Sequence, residues 1–267
     1  MFETFYGLSA TPFTRVIPPT DLFRPEQFLE CLARLNYLVH TRGFGLLTGE
    51  VGAGKTTAVR AFSHGLDTSS QHVLYISQSG LTPRYLYQEL CLQMGLTPPY
   101  QVADCRRLLQ HAFWDAYKNH KKQPVVIIDE GHLLSPVMLE EIRFFTNYQM
   151  DAASPMTLIL AGQTELKARL KLQSFEAITQ RITLRHHLAG LSPMETKGYI
   201  EHHLKVAGAH RPLYSDEAIQ LIHQFTKGIP RKINNLCTAC LLDGFLEEKS
   251  LIDVATVKKA LQEFEDD

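Results

Sequence analysis

The sequence predicts an α/β protein: a parallel five-stranded sheet with its helices over residues 24–190, then an all-helical domain over 191–267. Three observations carry this. A glycine-rich phosphate-binding motif stands between a strand-like and a helix-like run. A second strand-like run ends in two carboxylates. After Leu191 the alternation of strands and helices gives way to helical segments alone.

The motif is Gly49-Glu50-Val51-Gly52-Ala53-Gly54-Lys55-Thr56, which fits the P-loop pattern G-x-x-x-x-G-K-[ST]. Phe44 to Thr48 reads as a buried strand entering it, and Thr57 to Phe62 as the helix leaving it. Glycines let the backbone wrap a phosphate chain without Cβ clashes. Successive N–H groups and the helix N-terminus then face the anion. Lys55 adds a charge at the β- and γ-phosphates, Thr56 offers Mg²⁺ a hydroxyl, and Thr57 completes the binding stretch. Val125-Val126-Ile127-Ile128-Asp129-Glu130 is a continuous apolar run, the pattern of a strand buried on both faces. Ligands bind at the carboxyl ends of such strands. Asp129 is expected to hold Mg²⁺ and Glu130 to polarise the attacking water. The pairing argues for nucleotide hydrolysis rather than storage.

The remaining elements follow in order. Residues 1–23 carry Phe2, Phe5, Tyr6, Pro12, Phe13, Pro18, Pro19 and Phe23, an ordered lead segment expected to lie on the core. Arg24 to Gln27 opens a helix whose Phe28, Leu29, Leu32, Leu35 and Leu38 have helical spacing and are expected in the core. His72 to Ile76 is the second strand. Thr82 to Met94 is a helix with an early proline, and Arg106 to His120 another, with Lys121 and Lys122 at its carbonyl end. Ser135-Pro136 starts the helix after the carboxylates. Met156 to Ala161 and Arg181 to Leu184 are the last strands. Strand–helix alternation implies a parallel sheet with right-handed crossovers. Ser192-Pro193-Met194-Glu195 is a capping box opening the first of four helices, 192–207, 215–227, 230–248 and 253–264. Gly228 and Pro230 make a stop and a restart.

The 267 residues, 45 % hydrophobic, suffice for one α/β core and a smaller domain. A formal net charge of −1 supplies no global basic field, so any nucleic-acid surface must be a local stripe or an array of subunits. Five scattered cysteines suit a reducing cytosol, and Cys237-Thr238-Ala239-Cys240 reads as two buried thiols on a helix. The adjacent pairs His186-His187 and His202-His203 point different ways, which argues against a metal. With no signal peptide and no membrane-spanning run, a cytoplasmic protein is expected.

A P-loop core, an extra strand between the two nucleotide motifs and a helical lid together resemble an AAA+ ATPase. Gly228-Ile229-Pro230-Arg231 looks like its sensor-2 motif, with Arg231 reaching the γ-phosphate. Gln180-Arg181-Ile182 looks like the arginine-finger position, and Gln163 like sensor 1. The plain alternatives are a helix start, a solvated charge and a turn residue. A closer resemblance spans nearly the whole chain. Phe5-Tyr6-Gly7-Leu8 with Pro12-Phe13, Ile128-Asp129-Glu130-Gly131-His132-Leu133-Leu134, Leu160-Ala161-Gly162-Gln163-Thr164-Glu165-Leu166 and Gly228-Ile229-Pro230-Arg231-Lys232-Ile233-Asn234 look like segments of ExeA/GspA-like ATPases. That family is kin to the transposition helper ATPases of the TnsC, TniB, MuB and IstB kind. Secretion-type members carry a membrane segment and a periplasmic domain. This chain stops at the lid, which favours the mobile-element type. The resemblance then implies ATP and Mg²⁺ as cofactors, a homo-oligomeric ring or helical filament on double-stranded DNA, and a transposase or other mobile-element protein as partner, with no membrane.

Candidate DNA contacts are Thr82, Arg84, Lys118, Lys121 and Lys122, each of which also reads as a solvated helix end. Two other readings stay open: an ATPase of a secretion assembly with protein partners, and a nucleotide-gated scaffold that hydrolyses poorly. Asp129-Glu130-Gly131-His132 also fits the D-E-x-H of helicases, but the helical region cannot supply their second α/β domain. Leu160-Ala161-Gly162-Gln163 faintly resembles a transporter signature in the wrong order.

Overall fold

β1 (Phe44–Gly49), β2 (Gln71–Ile76), β3 (Gln123–Ile128), β4 (Thr157–Gly162) and β5 (Ile182–Leu188) form one sheet in the order β2-β3-β4-β1-β5. Every pairing is parallel. The structure is a computed structural model and describes residues 1–77, 80–119, 121–146 and 154–265. The chain divides into two units, one of Gln27–Val51 and Lys55–Leu188, the other of Met1–Glu26, Gly52–Gly54 and Ala189–Asp267.

The first unit is the α/β fold. The helices begin with α1 (Phe2–Tyr6), which belongs to the other unit, and α2 (Glu26–Thr41). The crossovers are α3 (Lys55–Gly65), α4 (Pro83–Gln93), α5 (Val102–Lys118), α6 (Pro136–Phe145), α7 (Thr164–Leu170) and α8 (Glu176–Thr179). The central strands β1 and β4 are buried along their whole length, as their mostly apolar runs require. Leu46, Leu74, Val126, Ile128, Leu158 and Leu160 present one sheet face to Leu86, Leu90, Leu109, Phe113 and Ile142. Fully burying a side chain of this size stabilises by about 1.5–3 kcal/mol.

Three expectations are corrected at this level. Strand β5 runs to Leu188 because its exposed and buried residues alternate, as on an edge strand with one wet face, so its apolar run is broken by Thr183, Arg185 and His187. Leu29 is an exposed residue, since the buried stripe of α2 is Phe28, Cys31, Leu35, Leu38 and Val39. The helix expected to begin at Arg106 starts four residues earlier, at Val102, and its expected end at His120 lies outside the described residues.

The second unit holds α9 (Pro193–Val206), α10 (Asp216–Thr226), α11 (Pro230–Leu246) and α12 (Val254–Glu265). Ser192 and Glu195 form the capping box with bonds of 3.2 and 2.9 Å. The lead segment belongs here. Tyr6, Leu8 and Phe13 share a core with Leu191, Ile200, Leu213, Ile233 and Leu241. Ser9 N–H donates to Ala207 O at 2.8 Å, and Tyr6 Oη to Lys249 O at 3.2 Å. Four helices of this length close little apolar volume by themselves, and the aromatic lead segment completes it. All five cysteines are free and buried, and burial pushes the Cys237 and Cys240 thiols up, Cys240 to about 12. Among the described residues no helix is long and apolar enough to cross a membrane.

Candidate nucleotide site

The P-loop leaves β1 and enters α3 through Gly52 and Gly54, whose φ of +82° and +99° are open to glycine and strained for any other residue. A Cβ on Gly54 would meet nothing within 4 Å, so the surface over it is free for a ligand backbone or phosphate. Lys55 is buried, and its Nζ donates to Gly49 O and Glu50 O, both at 3.0 Å. Thr56 is exposed at the first turn of α3, and Thr57 half-buried beside it. Gly52, Ala53 and Gly54 belong to the helical unit, and within that unit Arg231 N–H donates to Gly52 O at 3.3 Å. The Arg231 side chain is exposed at the start of α11.

Asp129 stands one residue past β3, and its N–H donates to Ile76 O at 2.8 Å, which extends the β2–β3 ladder. The residue is 3 % exposed, and its carboxylate takes three donors: Thr56 Oγ1 at 2.8 Å, Tyr75 Oη at 3.0 Å and Glu130 N–H at 2.8 Å. Burial, with the Asp129 charge adding to it, pushes the Tyr75 phenol up to about 12. Glu130 occupies the left-handed region at φ 54°, ψ 32° and opens the turn Gly131–Leu133. Its side chain is 44 % exposed, with Oε2 3.4 Å from His132 Nδ1. His132 Nε2 lies 2.7 Å from Gln163 Nε2, and Arg169 donates to His132 O at 2.8 Å and Leu134 O at 2.7 Å.

The structure thus brings Lys55, Thr56, Asp129, Glu130 and Gln163 to the carboxyl ends of β1, β3 and β4. Thr56 and Asp129 are hard oxygen donors within hydrogen-bond reach of one another, the set Mg²⁺ takes alongside substrate phosphates. No cluster of three His, Cys, Asp or Glu able to hold a metal occurs among the described residues. Arg181 is engaged elsewhere: its Nη1 donates to Arg143 O at 3.0 Å and Thr146 Oγ1 at 3.2 Å at the end of α6.

The candidate DNA contacts are held locally. Thr82 caps α4 by accepting from Tyr85 N–H at 3.3 Å. Arg84 lies 4.9 Å over the Tyr100 ring and Lys118 5.3 Å from Trp114. Lys121 pairs with Asp115 at 2.5 Å, and Lys122 is exposed. Sequence reasoning missed Tyr75, His132 and Arg169. Tyr75 reads as one more residue of an apolar strand, and only its register opposite Ile127 carries it to Asp129.

The AAA domain family model matches residues 38–170, the stretch that contains the P-loop, Asp129, Glu130 and Gln163. That stretch is an AAA domain with a P-loop ATPase fold. General secretion pathway protein A of Aeromonas hydrophila is 37 % identical to this ATPase over 253 residues, covering 92 % of the chain and 45 % of the relative. The chain thus spans about half the length of that relative, and the point where it stops does not tell one kind of member from another. Among solved structures, Cdc6p from Pyrobaculum aerophilum has a TM-score of 0.68 at 15 % identity, covering 94 % of the ATPase and 70 % of that chain. The ORC2 protein of Aeropyrum pernix, solved as ADPNP–ADP complexes, has a TM-score of 0.65 at 16 % identity with the same coverage. At that identity the likeness is one of fold.

Proposed function

We propose that this ATPase hydrolyses ATP with bound Mg²⁺ and uses the cycle to act on a protein partner of a secretion assembly. The observation that carries the choice of partner is the 37 % identity to General secretion pathway protein A. The Mg²⁺ held by Thr56 and Asp129 would neutralise charge on the transferred phosphoryl group. Lys55 exchanges two loop carbonyls for phosphate oxygens. Glu130 takes a proton from the attacking water, with Gln163 orienting the same region. Arg231 contacts the γ-phosphate from the lid side. Arg181 serves a neighbouring copy in a homo-oligomer, which requires release from Arg143 and Thr146. Glu130→Gln keeps size and hydrogen bonding but loses the charge; it binds ATP and turns over at least about a hundredfold more slowly. Near-normal turnover removes the assignment.

The transposition reading, with duplex DNA and a transposase, draws less support. Thr82, Arg84, Lys118 and Lys121 have local partners, and a net charge of −1 gives no bulk attraction to phosphate. The deciding measurement is duplex-DNA anisotropy with ATP, with ADP and without nucleotide, over a salt series, paired with ATPase rates with and without DNA. The expected result is no ATP-dependent binding and no stimulation. ATP-dependent binding that falls steeply with salt reverses the choice, since each neutralised phosphate releases counterions.

A further inference from the structure

His132 lies between two groups at the carboxyl ends of neighbouring strands. Glycines make this approach possible. A Cβ on Gly131 would fall 2.6 Å from Leu160 Cδ1 and 3.0 Å from Ala161 O, and one on Gly162 would fall 3.0 Å from His132 N. Side chains there would drive the ends of β3 and β4 apart. Arg169 then clamps the turn through two carbonyls, His132 O and Leu134 O. The imidazole is 7 % exposed.

The two ring nitrogens face different chemistry. On one side, Nε2 meets the Gln163 amide nitrogen at 2.7 Å. Two nitrogens bond at that distance when the amide N–H donates into a bare ring lone pair, which leaves the ring proton on Nδ1. On the other side, Nδ1 is buried, without a hydrogen-bond partner among the described residues, and 3.4 Å from Glu130 Oε2. A bare Nδ1 lone pair facing a carboxylate would be repulsive, so the carboxylate selects the same tautomer. A buried ring N–H without an acceptor is costly, and the Glu130 carboxylate, 3.4 Å away, is the acceptor beside it.

We propose that His132 is a positioning residue that ties the Glu130 carboxylate to Gln163 at the end of β4. It sets the direction of the carboxylate and transmits the state of the Gln163 amide to it. This rests on Glu130 acting as the base. The ring moves no proton in the reaction; it holds one on Nδ1. A change at the end of β4 that withdraws the Gln163 amide frees Nε2 to take the proton, and the tie to Glu130 is lost.

The test compares the full chain with His132→Ala, His132→Asn, Gln163→Ala, the His132→Ala/Gln163→Ala pair and Glu130→Gln. Each is measured for kcat and KM of ATP hydrolysis, binding of a fluorescent ATP analogue, and thermal melting. His132→Ala should lower kcat by about 10–100-fold, the range for an orienting partner, with KM and analogue binding unchanged. His132→Asn places an amide N–H where Nδ1–H stood and should recover part of the rate. Gln163→Ala should slow the wild type and add nothing to His132→Ala. Wild-type kcat in His132→Ala overturns the proposal, as do losses that multiply in the pair. So does a loss that travels with weaker binding and lower melting and is not relieved by Asn. Glu130→Gln separates the two failures. If it is slow while His132→Ala is normal, only the tie fails; if it is fast, the base assignment fails.

Discussion

Glu130→Gly should make the α/β unit more stable while abolishing turnover. Among the described residues, five other than glycine have positive φ: Phe13, Arg42, Glu130, Lys227 and Glu248. Arg42, Lys227 and Glu248 follow the ends of α2, α10 and α11, where a left-handed residue closes a helix. Glu130 ends no helix; it turns the chain just after β3 at φ 54°. For a residue with a Cβ this conformation costs roughly 1–2 kcal/mol. Glycine removes that cost but adds roughly 0.5–1 kcal/mol of unfolded-chain entropy. The side chain gives up little, since it is 44 % exposed and its His132 contact is 3.4 Å. The net gain is roughly 0.5–1 kcal/mol, a rise of about 1–4 °C in melting temperature for a unit of this size. The assay is thermal unfolding by circular dichroism beside ATPase rates, with Glu130→Gln as control. Gln keeps the Cβ, so it should lose turnover with unchanged melting. A Glu130→Gly protein that melts below the Gln variant refutes the reasoning, because the left-handed backbone would then be unstrained.

Three further outcomes are expected. His203 is buried against Phe13 and Tyr199, and burial, with His202 adding to it, pulls it down to about 4. Between pH 6.5 and 4 the unfolded chain holds a proton that the folded chain does not, so stability is level above pH 6.5 and falls by roughly 2 kcal/mol at pH 5; His203→Phe should flatten that part of a melting-versus-pH series. A Cβ at Gly228, φ +72°, would lie 2.0 Å from Leu191 O, so Gly228→Ala should destabilise the helical unit by about 3 kcal/mol or more, read as early loss of helix signal on heating. If Arg181 works in a neighbouring copy, specific ATPase activity rises with protein concentration; a rate per subunit that stays flat from dilute to concentrated protein contradicts it.

The parts of the fold legible in the sequence are those fixed by local chemistry. Near-continuous apolar runs mark β3 and β4 because central parallel strands bury both faces. Ser192 and Glu195 mark the start of α9 because orphan N–H groups need those acceptors. What escaped depends on partners far along the chain. The lead aromatics carry no sign of which core they fill, and Tyr6 reaches Lys249 across 243 residues. Tyr75 acquires its contact with Asp129 from strand register, and His132 its contact with Gln163 from two glycines that let strand ends close. Arg181 reads as an arginine finger or a solvated charge in sequence, and only the course of α6 supplies its acceptors.

The adjacent carboxylates show how one backbone turn gives two identical chemical groups different work. Asp129 continues the β2–β3 ladder, so its side chain is carried into the sheet's end and fixed there by three donors at 3 % exposure. A carboxylate so held cannot swing toward a reacting atom; it suits a cation, which needs a fixed oxygen. The next residue breaks the extended path by entering the left-handed region, and its own N–H is spent on Asp129 Oδ1. Glu130 thereby leaves the strand direction with a longer side chain, 44 % exposed and facing one buried ring nitrogen. It keeps the freedom a base needs to approach and leave water, and the strain of about 1 kcal/mol is the cost of separating it from its neighbour. Were Glu130 in the extended path, strand alternation would send the two carboxylates to opposite faces of the sheet. The left-handed turn keeps both on the same end of it, which is why glycine at this position would gain stability and lose the reaction.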